Sequence, residues 1–342
     1  MAQAKQVKIP VERKNGELWA FMSLKFHHGD EDKQKVEVLT QVLESVGIRN
    51  VVMARDVEKW DQDQITDDKK LMPDYAFPAM EKCDFLVCEF TEKGVGLGIG
   101  AAYTYAKNHP IYVIAKTGSD ISTTISNIAT KVIFYDDPQD LVKPFAKIAN
   151  EFPRVILASK SAIRKQQMID ADIPFEIMVS DADETPDESK SFRSQLAEIS
   201  MRKANVILKK TANQGRRLII AADQNIVFDG KMYGKPKTID EARTLIKSMQ
   251  GREDIYAYTG NAVLIANGSE ILECINLTDI SRMSMDEISE KVLEDYLKNH
   301  NPLAKCGGIS IAEAPFIHLK DGKYSTACGM TIEFAQEMRK FL

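Results

Sequence analysis

A chain of 342 residues predicts two domains, each able to bury its own core, at roughly 100–200 residues per domain. Apolar residues make up 44% and charged residues 28%, with 18 Gly and 12 Pro, a globular composition that excludes a disordered, collagenous or coiled-coil chain. The net charge of −5 offers no overall excess of cations for phosphate-backbone binding, so no nucleic-acid partner is expected.

No stretch approaches the ~20 apolar residues of a membrane span, and the N-terminal MAQAKQVKIPVERKNGE lacks the apolar core of a secretory signal. No membrane partner is expected, and the expected compartment is the cytoplasm. The cysteines (Cys83, Cys88, Cys274, Cys306 and Cys328) are odd in number and lack CxxC spacing, which speaks against a disulfide framework or a Cys-rich zinc site. Cys83 and Cys88 fall inside an apolar run and read as buried thiols.

Between residues 18 and 150 strand-like runs alternate with helical patterns: LWAFMSL, KVEVLTQVLESVG, NVVMARDV, KCDFLVCEF, AAYTYAKNH, PIYVIAK and KVIFYDD. That order predicts an α/β domain with a parallel sheet. The helix KPFAKIANEF closes it, and a new strand, VILAS, starts at Val155. The expected division is therefore 1–151 and 152–342.

The second half reads as strand VILAS, helix SAIRKQQMIDADI, an acidic loop DADETPDESK, a long helix through AEISMRKANVILKK and a buried strand RLIIAAD. A hairpin, NIVFDGKMYGKP, follows, with Asp229-Gly230 at its tip. Capping boxes at Thr238/Glu241 and Ser284/Glu287 predict two further helix starts. This half is expected to be mixed α/β, or α+β.

Four features of the second half suit a polyphosphate. Ser159, Ser161, Arg164 and Lys165 stand where a strand enters a helix, which supplies hydroxyls, cations and free helix N–H groups in one turn. Asp223 ends the strand LIIAAD. Asp181, Asp183 and Glu184 lie in the acidic loop, so carboxylates could meet Asp223 and hold a hard divalent cation through oxygen. Lys203 and Lys235 stand beside these segments and could neutralise phosphate charge. Each feature also has a plain reading, as an N-cap, a solvated loop or a turn.

Together LASKSAIRK, DADET, Lys203-Ala204, IIAADQNIVFDGKMYGKP, YTG at 258–260 and NPLAKCGG resemble, in order and spacing, the motifs of the Maf (septum-formation inhibitor-like) nucleotide pyrophosphatases over about residues 155–340. The resemblance implies house-cleaning hydrolysis of a nucleoside triphosphate to the monophosphate and pyrophosphate, with a divalent metal, Mg or Mn. Position by position, it makes Asp223 the proton acceptor for water or a metal ligand and Glu184 the second acidic metal residue. Ser159, Arg164, Lys203 and Lys235 match phosphate-contacting positions, and Lys305 falls in the last motif.

Three departures from the commonest family pattern bear on base choice. Ile163 replaces an Arg, Gln224 replaces a Thr, and the Gln position falls at Ala312 or, with a one-residue shift, Glu313. These changes resemble the subgroup acting on 7-methyl-GTP, so a purine or modified purine nucleotide is the expected substrate.

In the first half, CDFLVCEFTEKGVGLGIGAAYTYAKNHPIYVIAK resembles nucleoside 2-deoxyribosyltransferases and deoxynucleoside-monophosphate N-glycosidases over about residues 18–147. Asp84 and Glu89 fit that pattern, and Gly94, Gly96, Gly98 and Gly100 would line the pocket. The expected nucleophilic Glu aligns with Gly100 and the phosphate-contacting Ser with Gly94, so covalent glycosyl transfer is not expected unless Glu89 or Glu92 substitutes. The same glycines satisfy GxGxxA, with Asp120 beyond, so a dinucleotide loop and a plain packing turn are the competing readings.

The function expected is nucleotide pyrophosphate hydrolysis by the second domain, joined to a deoxyribosyltransferase-like first domain used for binding, assembly or regulation. The rivals are a non-catalytic nucleotide sensor or scaffold and a bifunctional enzyme. A homodimer stays open as the assembly.

Overall fold

The structure, a computed structural model, describes residues 7–27, 29–60 and 70–342. The chain divides into two compact units, Met1–Phe152 and Pro153–Leu342.

In the first unit a two-residue strand, β1 (Glu12–Arg13), precedes β2 (Leu18–Leu24), α1 (Asp30–Ser45), β3 (Ile48–Val51), α2 (Met53–Asp56) and a π-helical turn at Leu71–Ala76. Next come α3 (Phe77–Lys82), β4 (Phe85–Glu89), α4 (Val95–Ala106), β5 (Ile111–Lys116), α5 (Thr123–Ile128), β6 (Lys131–Tyr135) and α6 (Val142–Glu151). The strands order as β3-β2-β4-β5-β6, every pair parallel. Helices cover both faces, which is why β4 is buried throughout and apolar up to its last residue, Glu89. Phe85 and Val87 join Leu39 and Phe145 in one core layer, while Leu86 and Cys88 join Met80, Leu97 and Ala101 in the other. Cys83 and Cys88 are buried free thiols.

Two local expectations change here. The strand expected over NVVMARDV stops at Val51, because the Asp56 carboxylate accepts from the Val52 N–H at 2.8 Å and fixes the start of α2. The glycine run does not form a loop before a helix; Gly96, Gly98 and Gly100 lie within α4. An added Cβ on Gly100 would sit 2.9 Å from Met80 Cε, the movable tip of a side chain, and Gly96 and Gly98 meet nothing within 4 Å.

The second unit contains β7 (Arg154–Leu157), α7 (Ala162–Asp170), β8 (Phe175–Ile177), α8 (Phe192–Lys210), β9 (Arg216–Phe228), β10 (Lys231–Tyr233) and α9 (Ile239–Met249). These are followed by β11 (Ile255–Asn267), β12 (Glu270–Met285), α10 (Glu290–Asn299), β13 (Ile317–Asp321), α11 (Tyr324–Ala327) and α12 (Ile332–Arg339). Its strands run in the order β8-β7-β9-β11-β12-β13, with β10 paired to β9. The β7–β8 and β7–β9 pairs are parallel and the others antiparallel, giving a mixed sheet. The hairpin turns at Asp229 and Gly230, whose φ values of 49° and 70° are the positive pair that a two-residue turn needs.

Thr238 caps α9 by accepting from the Glu241 N–H at 3.1 Å, but Glu241 reaches back to the Lys237 N–H rather than to Thr238. The box expected at Ser284 does not form. Ser284 pairs with His318 inside β12, and α10 starts only after Ser289, which accepts from Val292 N–H at 3.4 Å. Strand pairing outweighs the local capping signal there.

Candidate active site

β7 ends beside the middle of β9, with Leu157 opposite Ile220. The chain then passes through Ser159 and Ser161 into α7. Ser161 is the N-cap, accepting from Arg164 N–H at 3.5 Å, and its own N–H donates to Ser159 Oγ at 3.1 Å. Arg164 also donates to Ser159 Oγ, at 3.4 Å. Ser159 Oγ thus accepts twice, and its O–H remains a donor.

Arg164 is anchored as well as charged. Its Nη1 donates to the Ala222 carbonyl at 2.7 Å and its Nε to the Gly329 carbonyl at 2.7 Å. Burial lowers the guanidinium from its ordinary value, against the pull of Asp223, Cys306 and Glu184. Ile163 and Lys165 are half-buried on the same helix.

Lys203, on α8, is 7% exposed. Its ammonium donates to Asp223 Oδ1 at 2.6 Å and lies 3.2 Å from Glu184 Oε1. Two carboxylates 39 positions apart thus meet around one cation, which offsets the cost of holding a charge out of water. The other acidic-loop residues point elsewhere: Asp181 pairs with Lys210 at 3.1 Å and Asp183 with Arg202 at 3.7 Å. Of the three acids expected near Asp223, Glu184 alone arrives.

Asp223 and Glu184 offer hard oxygens of the kind Mg²⁺ and Mn²⁺ take when substrate phosphates complete the shell. Among the described residues no group of three or more His, Cys, Asp or Glu could hold a metal ion. The pair therefore fits a metal that arrives with, or is completed by, an anionic ligand.

Lys235 is exposed and has no ion-pair partner among the described residues. Sequence reasoning overlooked Cys306. Its Sγ donates to the Gln224 carbonyl at 2.7 Å, and burial pushes the thiol up to about 11, with Asp223 adding to the rise and Arg164, Lys235 and Lys203 opposing it. The signal was its place in NPLAKCGG, immediately after Lys305.

The specificity candidates are engaged within the protein. Gln224 Nε2 lies within donating distance of Thr259 Oγ1 (3.0 Å) and the carbonyls of Thr326 (2.9 Å) and Ala327 (3.1 Å). Glu313 takes Lys305 and, at 3.0 Å, His300; they overcome burial and hold its carboxyl below the usual range. Lys305 also stands 5.7 Å over the Tyr296 ring.

In the first unit the expected pocket residues separate. Asp84, just before β4, accepts from Trp19 N–H at 2.7 Å and pairs with Arg13 at 3.4 Å; burial raises its carboxyl. Glu89, at the far end of β4 and 1% exposed, pairs with Lys35 at 2.6 Å and accepts from Tyr135 O–H at 3.2 Å. A cleft of about 480 Å³ lies instead against Phe90, Lys93, Gly94, Val95 and Gly98. Asp84, Glu89, Gly96 and Gly100 do not line it.

No described helix is long and apolar enough to cross a membrane. A dTTP/UTP pyrophosphatase of Thermotoga maritima is 30% identical over 181 residues, covering 52% of this chain and 84% of that protein. A dTTP/UTP pyrophosphatase of Lachnoclostridium phytofermentans is 29% identical over 191 residues, covering 55% of this chain and 95% of that protein. Among solved structures, a Clostridium botulinum CMP N-glycosidase matches 37% of this chain and 95% of its own at 15% identity, with a TM-score of 0.28. A 2-deoxyribosyltransferase of Bacillus psychrosaccharolyticus matches 36% of this chain and 90% of its own at 16% identity, also with a TM-score of 0.28. The family described as Maf-like protein matches residues 154–341, more than half the chain and nearly all of the unit that holds Asp223, Lys203 and Arg164, and this chain belongs to it.

Proposed function

We propose that the second unit hydrolyses a nucleoside triphosphate to the monophosphate and pyrophosphate. The observation that carries this reading is the buried Lys203 joining Asp223 and Glu184 beside the Ser159–Arg164 turn. Water attacks the α-phosphorus, its proton passes to Asp223, and the α–β anhydride bond breaks to release pyrophosphate. Arg164, Lys203, Lys235, the Ser159 hydroxyl and the first turn of α7 supply fixed positive potential where phosphate charge grows. A divalent cation, held by Asp223 and Glu184, would polarise the phosphate and neutralise the leaving group.

Two readings of the base rest on different observations. The relatives' names favour dTTP and UTP. Ile163 and Gln224 favour a purine such as 7-methyl-GTP, because they replace a guanidinium and a hydroxyl by an apolar group and an amide. Pyrophosphate release from dTTP, UTP, 7-methyl-GTP and GTP with Mg²⁺ or Mn²⁺ tests the proposal. No release from any of them defeats the catalytic reading in favour of a sensor or scaffold, and the ranking of kcat/KM decides the base.

For the first unit we propose ligand binding without glycosidic cleavage. Position 100 carries no carboxylate; of the two acidic alternatives, Glu89 is buried against Lys35 and Tyr135, and Glu92 pairs with His27 at 2.9 Å and with Lys25 at 3.3 Å.

A further inference from the structure

Asp223 stands on a part of β9 that lacks a strand neighbour on one side. β7 pairs with β9 from Arg154 opposite Arg217 only as far as Leu157 opposite Ile220, and β10 pairs with it only from Ile226 onward. In the gap between them the carbonyls of alternate residues point to the same side, as a strand requires. Each is taken in turn: the Ile220 carbonyl by Ala158 N–H at 2.8 Å, the Ala222 carbonyl by Arg164 Nη1 at 2.7 Å, and the Gln224 carbonyl by Cys306 Sγ at 2.7 Å. Side chains therefore replace the missing strand on both flanks of Asp223.

We propose that Cys306 is a positioning residue for Asp223, acting as the donor that holds the Gln224 carbonyl and, with Arg164, fixing the backbone from which the carboxylate projects. In this pair the thiol is the donor, because a carbonyl oxygen can only accept. The same turn is tied to the hairpin exit, where Gly307 N–H donates to the Gly234 carbonyl at 2.9 Å. Gly307 has a φ of 65°, and an added Cβ would stand 3.0 Å from Ile226 Cγ1, so the turn is seated directly on β9. Cys306 thus couples the strand carrying Asp223 to the segment carrying Lys235. Geometry at a reacting centre is steeply felt in rate, whereas the thiol itself touches no reacting atom in this arrangement.

This inference rests on the pyrophosphatase reading, and its test separates the two. Full-length parent, Cys306→Ala and Cys306→Ser are compared for pyrophosphate release and, independently of activity, for deuterium uptake by peptides spanning residues 220–226. Removing the donor should lower kcat about tenfold, the equivalent of ~1.4 kcal/mol, leave KM within about twofold, and speed exchange in those peptides. The serine hydroxyl donates in the same place, so Cys306→Ser should recover most of kcat and the parental exchange. Parental kcat and exchange in Cys306→Ala overturn the proposal, as does a serine variant no better than alanine at equal thermal stability. If the parent releases no pyrophosphate, the functional reading fails, and the exchange experiment alone still decides whether Cys306 holds this edge.

Discussion

Asp223 and Gly260 face each other across the β9–β11 pair, and the missing side chain of the glycine is what admits the helix that carries Lys203. A Cβ on Gly260 would lie 2.2 Å from the Leu196 carbonyl oxygen and 2.8 Å from Ser200 Oγ, both on α8. Opposed residues in an antiparallel pair share a face. The glycine therefore lets α8 settle on the face from which Asp223 projects, and Lys203 closes the remaining distance to 2.6 Å.

Gly260→Ala should push α8 off the sheet, because the clash is with backbone that has no rotamer to change. The expected loss is about 1–3 kcal/mol of stability, with a fall in pyrophosphate release as Lys203 leaves Asp223. Urea unfolding and a steady-state assay measure both. Parental stability would mean that the helix yields without cost.

Asp223→Asn keeps the shape of the side chain while removing the proposed base and one of the two carboxylates proposed to hold a metal. The expected loss in kcat is at least ~10²–10⁴-fold, the usual worth of a general base. Activity within threefold of the parent would reassign the role, with Glu184 the next candidate.

Base choice is open to a reversion. Ile163→Arg with Gln224→Thr should shift the kcat/KM ratio between dTTP and 7-methyl-GTP toward dTTP. Gln224→Thr alone should also loosen residues 326–327, because the amide that reaches their carbonyls is lost. An unchanged ratio in the double variant would remove these positions from specificity.

Asp279 gives a pH signature. It accepts from Thr326 Oγ1 at 3.0 Å and from Lys323 Nζ at 3.1 Å. Burial alone would raise its carboxyl, but Lys323 and Thr326 overcome burial and leave it below the ordinary value. A carboxyl lower in the folded than in the unfolded chain contributes full stability above its unfolded value of about 3.9 and loses it as pH falls through the folded value. The melting-temperature gap between parent and Asp279→Asn should therefore be constant near neutrality and narrow below pH ~4. A gap that does not vary with pH would show that ionisation contributes nothing.

The first unit should bind without cutting. Full-length protein incubated with nucleoside monophosphates should release no free base by chromatography, because no carboxylate stands at position 100. Free base, abolished by Glu89→Gln, would restore a bifunctional enzyme.

The sequence by itself determined what depends on local pattern. Alternating apolar runs specified a parallel sheet in the first half, the Asp229-Gly230 turn specified its hairpin, and the ordered motifs around Ser159, Glu184, Lys203, Asp223 and Lys235 marked the candidate site. Tertiary structure decided whatever required two distant segments to meet. Ser284 carries a good capping signal, yet pairing with His318 draws it into β12. By local chemistry Asp181, Asp183 and Glu184 are alike; the motif resemblance singled out Glu184, and the course of the loop over α8 is what brings it to Lys203. The glycines of α4 suggested a loop, but the tertiary structure folds Gly96, Gly98 and Gly100 into a helix. Cys306 stood in the motif NPLAKCGG, yet its partner, the Gln224 carbonyl, emerged only when β9 was placed opposite it, because a hydrogen bond across 82 positions has no local period to reveal it.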